Sequence, residues 1–237
     1  METSLYAAFG LGLILGLKHA LDADHVIAVS TIVSEHKDLK WATLIGAFWG
    51  LGHTAMLFAV GLLVIGLRLT IPPRLALGLE FLVALMLVIL GASILWRSFG
   101  PERLHLHTHA HNPKTHAHFH LHGGKEEDHG HGHPFNSMRK PFLVGMVHGL
   151  AGSAALMLLV LTTIPSALGG LAYILIFGFG SVGGMLILSS LIGLPFILTA
   201  QRFTAMNRWI RVVAGAASVA FGLFLGWEIG FEAGLFF

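Results

Sequence analysis

The chain has 237 residues, of which 55% are hydrophobic and 11% are charged, and its formal net charge is +2. A soluble domain carries about 25% charged residues, so the composition excludes an ordinary soluble protein, and the small net charge gives no sign of a nucleic-acid-binding surface. Because the chain has no cysteine, disulfides are excluded and any metal site must use nitrogen and oxygen ligands, which argues against copper(I).

Six apolar stretches follow one another, and each is long enough to cross a hydrocarbon core of about 30 Å as a helix of about 20 residues. They cover residues 5–33, 41–67, 75–96, 142–164, 169–199 and 209–233. Barrel strands need only ~10 alternating residues, and an α-helix satisfies its own backbone polar groups in lipid. The predicted fold class is all-α: a polytopic membrane protein with six transmembrane helices. The N-terminus lacks the basic region and cleavage site of a secretory signal, so we expect the first span to be retained.

The first span carries an unusual group of ionisable side chains at membrane depth: Lys18, His19, Asp22, Asp24 and His25. Each costs about 2.5–3.5 kcal/mol in lipid, so the group requires internal pairing or a bound ion. On an ideal helix His19, Asp22 and His25 form one ridge, and Asp24 points away from it. Either Asp24 contacts the site from outside the ligand ridge, or the helix is locally broken. The alternative to a metal site is a salt bridge between Lys18 and Asp22.

The second span adds His53 within residues 50–54 (GLGHT). Small residues let helix backbones approach closely in lipid, which would bring His53 to the first-span ridge as a further ligand. Imidazole combined with carboxylate suits nickel, cobalt, zinc and iron better than magnesium or calcium. The alternative for a lone histidine in a membrane helix is a hydrogen bond to a neighbouring backbone carbonyl.

Between the third and fourth spans, residues 98–140 form a polar segment that holds 11 of the 16 histidines. We predict that it is disordered without metal, because such a low-complexity tract cannot bury a core. Alternating histidines bind metals promiscuously, so we expect a metal buffer or sensor, with a feeder for the membrane site or a simple spacer as alternatives. The segment separates a first three-helix half, residues 1–97, from a second, residues 141–237.

The second half repeats features of the first. Residues 16–21 (GLKHAL) match residues 145–150 (GMVHGL) at an offset of 129, and residues 50–54 weakly match residues 178–182. Three spans per half make the second half enter the membrane from the opposite side, so we predict two inverted halves with one site at their interface. His148 is the expected ligand from the second half. The positions that match Asp24, His25 and His53 are Ser153, Ala154 and Ser181.

The distribution of positive charge predicts the orientation. The side of the membrane that holds the polar segment carries most of the basic residues, whereas the opposite side holds only Arg68 and Arg74. By the positive-inside rule the polar segment is cytoplasmic and both termini lie outside. The basic residues on the predicted cytoplasmic side are Lys37, Lys40, Arg97, Arg103, Lys114, Lys125, Arg139, Lys140, Arg202, Arg208 and Arg211.

Two motifs carry a family resemblance. Residues 18–26 (KHALDADHV) contain a His-x4-Asp-His pattern that resembles the signature of the nickel/cobalt transporter family, with Lys18 where that family usually has Arg, and residues 51–54 (LGHT) are similar to its second motif. The family's later Asp-bearing motifs are absent, and the chain is two spans shorter than the eight typical of the family. It looks more like the compact branch of urease-accessory nickel permeases. The resemblance implies that the ion is bound by His19, Asp24, His25 and His53.

These features predict a permease that carries Ni2+ or Co2+, with Zn2+ also compatible, across the cytoplasmic membrane by alternating access, most simply as uptake. The predicted metal ligands are His19, Asp22, Asp24, His25, His53 and His148. We expect no organic cofactor and no enzymatic activity, and we expect the ion, membrane lipid and nickel-enzyme maturation proteins as partners. The alternatives are an efflux permease and a membrane-bound metallochaperone that hands nickel on without transporting it. An intramembrane hydrolase is disfavoured because no general base such as the Glu of His-Glu-x-x-His is present.

Overall fold

The computed structural model describes residues 2–36, 38–99, 103–111, 114–122, 134–164, 166–200 and 204–237. The helices in these ranges are α1 (Glu2–His19), α2 (Ala23–Val33), α3 (Leu39–Gly66), α4 (Pro73–Phe99), α5 (Pro134–Thr163), α6 (Ala167–Ala200) and α7 (Thr204–Trp227). A π-helical segment, Glu228–Glu232, continues α7, and two strands, β1 (Arg103–His111) and β2 (Lys114–His122), lie between α4 and α5. The predicted all-α membrane body is confirmed.

Four helical stretches are each long and apolar enough to cross a membrane: Leu39–Gly66, Pro73–Phe99, Ala167–Thr199 and Ala205–Glu232. Large apolar side chains point away from the protein interior, as a lipid-facing surface requires, with Trp96 83% and Phe179 71% exposed. The first predicted span is divided into α1 and α2, and neither piece is among these four stretches. The fourth predicted span lies within α5. The count of six spans therefore stays a prediction.

The break between α1 and α2 falls inside the ionisable motif. The Leu21 N–H donates to the Lys18 carbonyl at 2.8 Å and the Asp22 N–H donates to the His19 carbonyl at 3.1 Å, so the last turn of α1 is tightened. Asp22 then has an extended backbone, with φ −61° and ψ 145°, and precedes the first residue of α2. Of the two arrangements considered for Asp24, the structure has the locally broken helix.

Glycines bring helix backbones into direct contact at positions that recur in both halves. A Cβ atom added at Gly16 would collide with the Phe177 carbonyl oxygen of α6, and one added at Gly145, 129 residues later, would collide with the Trp49 carbonyl oxygen of α3. A second pair of contacts also corresponds between the two halves: that of Gly52 with the Phe142 carbonyl oxygen, and that of Gly180 with the Leu13 carbonyl oxygen. The first helix of each half thus packs on the second helix of the other half, as expected for inverted repeats.

The packing groups do not follow the sequence halves. Helix α1 packs on α6, α6 on α3 and α3 on α5, whereas α4 packs on α7. Gly91 and Gly215 meet where α4 and α7 cross, and Ser218 Oγ donates to the Leu87 carbonyl there at 2.8 Å. The short helix α2 lies between these two groups, since it contacts α4 and α7 as well as α3 and α6. The halves are therefore interlocked.

The polar segment contains two paired strands. Strands β1 and β2 pair antiparallel from Arg103 opposite His122 to His111 opposite Lys114. Alternation of histidine with other residues has the period of two that suits a strand. Disorder of the segment without metal stays a prediction. Helix α5 also begins at Pro134, before the predicted start of the second half. Lys37, Lys125, Arg202, His129, His131 and His133 lie outside the described residues.

Candidate metal centre

Four histidines from four helices meet where α1 breaks. His19 is the last residue of α1, His25 lies in the first turn of α2, and His53 and His148 lie within α3 and α5. The ring centroid of His25 is 4.6 Å from that of His19, 5.4 Å from that of His53 and 4.5 Å from that of His148. His25, His53 and His148 are each at most 2% exposed. The structure therefore brings together all four predicted histidine ligands.

The cluster contains two groups of three side chains whose ligand atoms lie within 4.8 Å of one another. The first triad is His19, His25 and His53, and the second triad is Asp24, His25 and His148. His25 belongs to both. One triad is all imidazole and the other combines imidazole with carboxylate, and both donor sets suit a divalent transition metal such as nickel, cobalt or zinc.

The Asp24 carboxylate joins two of the histidines. Its Oδ1 accepts the backbone N–H of His25 at 2.9 Å and lies 3.1 Å from His25 Nδ1, while its Oδ2 lies 3.4 Å from His148 Nε2. On a continuous helix this carboxylate would point away from the ridge, and the break turns it toward α5. Asp24 thus supplies the negative charge of the second triad.

Asp22 lies outside both triads and contacts a ligand instead. Its Oδ2 is 2.7 Å from His19 Nδ1, and its side chain is 52% exposed. A carboxylate on one ring nitrogen holds the imidazole in a fixed orientation and leaves the other nitrogen, here Nε2, as the ligand atom. The partner that the structure gives Asp22 is His19 rather than Lys18, and the role of Asp22 as a ligand stays a prediction.

Five buried ring nitrogens have no hydrogen-bond partner among the described residues: His25 Nε2, His53 Nδ1 and Nε2, and His148 Nδ1 and Nε2. The approach of His148 Nε2 to Asp24 is a close electrostatic contact that lacks hydrogen-bond geometry. Buried polar atoms are normally hydrogen-bonded, and each unsatisfied one costs about 1–3 kcal/mol. The structure therefore gives no backbone-carbonyl partner to His53 or His148, and a bound cation would supply the missing one.

Two aromatic residues beside the cluster were not singled out from the sequence. The ring of Trp49, which is fully buried, lies 5.2 Å from that of His148 and 6.3 Å from that of His25. Phe177 lies 5.4 Å from His19. The spacing of Trp49 from His53, one helical turn in α3, places both side chains on the same helix face and is the signal that could have revealed it.

A cavity of about 310 Å³ opens beside the first triad. Of the side chains in the two triads, only His19 lines the cavity. Lys18 and Asp22 are also among the lining residues. The apolar wall includes Leu57, Leu156 and Phe177. The cavity therefore gives access to His19, whereas no residue of the second triad lines it.

A separate group of charges joins the ends of three helices. Glu35, just after α2, accepts a hydrogen bond from Arg97 at the end of α4 at 2.5 Å, and its other oxygen lies 3.7 Å from Lys140 Nζ in α5. The neighbouring His36 ring stacks on Trp41 at 6.1 Å, and burial lowers the pKa of His36. These contacts hold together the helix ends that flank the polar segment.

A membrane body of helices with a buried cluster of imidazole and carboxylate defines a membrane protein that handles a divalent transition-metal ion. The profile of the NicO family, high-affinity nickel-transport protein, matches residues 5–226, and the chain belongs to this family of nickel transporters. The urease accessory protein UreH of Bacillus sp. (strain TB-90) is 40% identical over 240 residues, which cover 99% of this chain and 97% of that protein. No solved structure matches the chain. The predicted family resemblance is confirmed.

Proposed function

We propose that this protein carries Ni2+ across the cytoplasmic membrane and binds it at the two triads during transport. The observation that carries the proposal is the set of five unpartnered imidazole nitrogens buried around one carboxylate. Burial of such a group in lipid is unfavourable unless a cation binds there for part of the cycle. Co2+ and Zn2+ suit the same donors and are the expected competing ions.

The charge distribution supports an outward-facing arrangement. If the polar segment is cytoplasmic, α3 and α5 both run from the inside to the outside. Leu57 follows His53 in α3 and Leu156 follows His148 in α5, and both line the cavity. The cavity then leads from the outer side to His19, while the ion pairs of Glu35 hold the cytoplasmic ends together. This is the conformation in which an uptake permease would load its ion from outside.

Transport then proceeds by exchange of ligands. The hydrated ion enters the cavity, loses water as imidazole nitrogens replace it, and has its charge offset by Asp24. A rearrangement opens the cytoplasmic side, and protonation of imidazole there weakens binding and favours release. No step needs covalent chemistry, in accord with a transporter rather than an enzyme.

The interlocked packing constrains the movement. Separating the two sequence halves would break the close contacts at Gly16, Gly52, Gly145 and Gly180, all of which join helices of different halves. A movement between the α1–α3–α5–α6 group and the α4–α7 group leaves these contacts intact. Helix α2, which lies between the groups and follows a break, is the element that such a movement would shift. It carries His25 and Asp24.

The name of the relative indicates a destination for the ion. UreH is called a urease accessory protein, and a role of this chain in supplying nickel for the maturation of a nickel enzyme agrees with that name. The histidines of the polar segment would then hold ions on the cytoplasmic side. The competing function is a membrane-bound accessory protein that binds nickel and hands it on without transport.

Reconstitution in liposomes tests the proposal. Radioactive nickel is followed with and without a pH gradient for the wild type, His25→Gln, His36→Gln and a chain that lacks residues 105–133. We expect wild type and His36→Gln to accumulate nickel, His25→Gln to fail, and the shortened chain to retain most of the flux. Tight binding without accumulation by the wild type would instead support the accessory function. Flux that survives in His25→Gln but disappears in the shortened chain would show that the triads are not the transport site.

A further inference from the structure

We propose that the two triads are successive binding stations for one ion, and that His25 passes the ion from the first to the second. The direction of this transfer rests on the proposed function. The five donors do not form one site, because their ligand atoms do not all lie within 4.8 Å of one another and only the two groups of three do. Donors on one ion at metal–nitrogen distances of about 2.1 Å lie within about 4.2 Å of each other, so each triad needs only a small closure to bind an ion, whereas the five donors together need a larger one.

The two stations differ in access. His19 of the first triad lines the cavity and its side chain is 23% exposed. In the second triad, the His25 and His148 side chains are 2% and 1% exposed, and Trp49 lies against both rings. An ion that arrives through the cavity therefore reaches the first triad before the second.

The two stations also differ in charge. The ligands of the first triad are three imidazoles, and the nearest carboxylate, Asp22, contacts His19 Nδ1 from outside the triad and is 52% exposed. In the second triad the Asp24 carboxylate is itself a ligand and is less exposed. In a medium of low dielectric a carboxylate in direct contact attracts a divalent cation much more strongly than a neutral ligand does. The second station therefore holds the ion more tightly, which opposes its return to the cavity.

His25 is built to take part in both stations. Its Nδ1 lies on the side of Asp24 at 3.1 Å, and its Nε2 on the other edge of the ring has no partner among the described residues. A neutral imidazole has one nitrogen lone pair, so His25 binds the ion in one station at a time, and it is the histidine that the two stations share. His53 belongs only to the first triad and His148 only to the second, so each station has a histidine that can be removed alone.

A double-mutant cycle tests the two stations. In a full-length chain in which Trp49 is the only tryptophan and the others are Phe, Ni2+ titration is followed by quenching of the Trp49 fluorescence, because the Trp49 ring lies against His25 and His148. The variants are His53→Gln, His148→Gln, both together, and His25→Gln. His36→Gln is the matched control, since His36 stacks on the aromatic ring at position 41, Trp41 in the wild type and Phe in this chain, and belongs to neither triad.

With two stations, His53→Gln lowers the affinity less than about threefold, because the second triad remains, yet lowers it at least about thirtyfold in the His148→Gln background. His25→Gln weakens binding as much as the double variant. A single site overturns the proposal: the effect of His53→Gln would then be the same in both backgrounds. The variants must retain the thermal unfolding midpoint of His36→Gln to within the error of that control.

Nickel flux into liposomes separates this proposal from the proposed function. Both single variants are expected to lose at least about tenfold in flux, although His53→Gln still binds nickel well, because the ion must use both stations. If the wild type shows no nickel flux but the effect of His53→Gln on nickel affinity depends on the His148→Gln background, the transport proposal is wrong and the two-station proposal is supported. If the wild type transports nickel but the effect of His53→Gln is the same in both backgrounds, the two-station proposal is wrong and the transport proposal is supported.

Discussion

The close contact of α1 with α6 gives a sharp prediction, because Gly16 lies one turn before His19. A Cβ atom added at Gly16 would lie 2.9 Å from both the Phe177 carbonyl carbon and the Ser181 amide nitrogen, and closer still to the Phe177 carbonyl oxygen. Ordinary van der Waals contacts of a Cβ begin near 3.4 Å. All three neighbours are backbone atoms, so α1 in Gly16→Ala must retreat from α6 by about 0.5–1 Å or more, at a cost of about 1–3 kcal/mol.

That retreat is large on the scale of metal coordination, where ligand distances must be correct to about 0.2 Å. We expect Gly16→Ala to bind Ni2+ about 10–100-fold more weakly and to lose a similar factor in transport, because His19 moves away from His25 and His53. The measurements are nickel titration by Trp49 fluorescence and nickel uptake into liposomes. Thermal unfolding in detergent reports the packing cost separately.

Gly10→Ala is the matched control on the same helix. A Cβ at Gly10 would meet nothing within 4 Å, so this variant should bind and transport nickel as the wild type does and be equally or slightly more stable, since alanine favours helix by up to about 1 kcal/mol. If Gly16→Ala binds nickel within about threefold of Gly10→Ala, the contact of α1 with α6 does not position His19 and the reasoning is wrong.

Three further predictions follow from the described contacts. Asp22→Asn should weaken nickel binding about tenfold through loss of the charge that orients His19, and Asp22→Glu should restore part of it; an unchanged affinity for Asp22→Asn would leave Asp22 without a positioning role. Glu35→Gln should lower the unfolding free energy by no more than about 1 kcal/mol, because its ion pairs are partly exposed, and a larger loss in thermal unfolding would mean that they are better shielded than the structure shows. Burial lowers the pKa of His36, so its neutral form is favoured by folding and the wild type should lose stability relative to His36→Gln as the pH falls below about 6.5, the unfolded value; parallel stability curves for the two proteins would contradict this.

Composition and local pairing are separate questions in the polar segment. Its many histidines cannot form a core, which is why we predict disorder without metal, whereas the pairing of β1 with β2 follows from the alternation of its residues. Backbone hydrogen bonds between strands need only a period of two and a short connection, and they do not depend on a buried apolar face. Composition alone therefore says little about local pairing of this kind.

Much of the metal centre could be predicted from sequence, because the cost of burying ions in lipid is a property of the side chains themselves. That cost singled out the group from His19 to His25, and the repeat pointed to His148 before its neighbours were known. Composition and the long apolar stretches assigned the membrane class, and the motifs at residues 18–26 and 51–54 carried the nickel-transporter resemblance. None of these conclusions depends on how the helices pack.

Tertiary structure decided how those residues divide the work. The direction of the chain after residue 19 turns Asp24 toward His148, whereas on an ideal helix Asp24 would point away from the ridge of His19, Asp22 and His25. Ligand distances of a few ångströms depend on where α1, α2, α3 and α5 cross, and those crossings are set by backbone contacts at glycines whose partners lie far along the chain. Local sequence carries the identity of each ligand, but only the packed helices determine which ligands can share one ion.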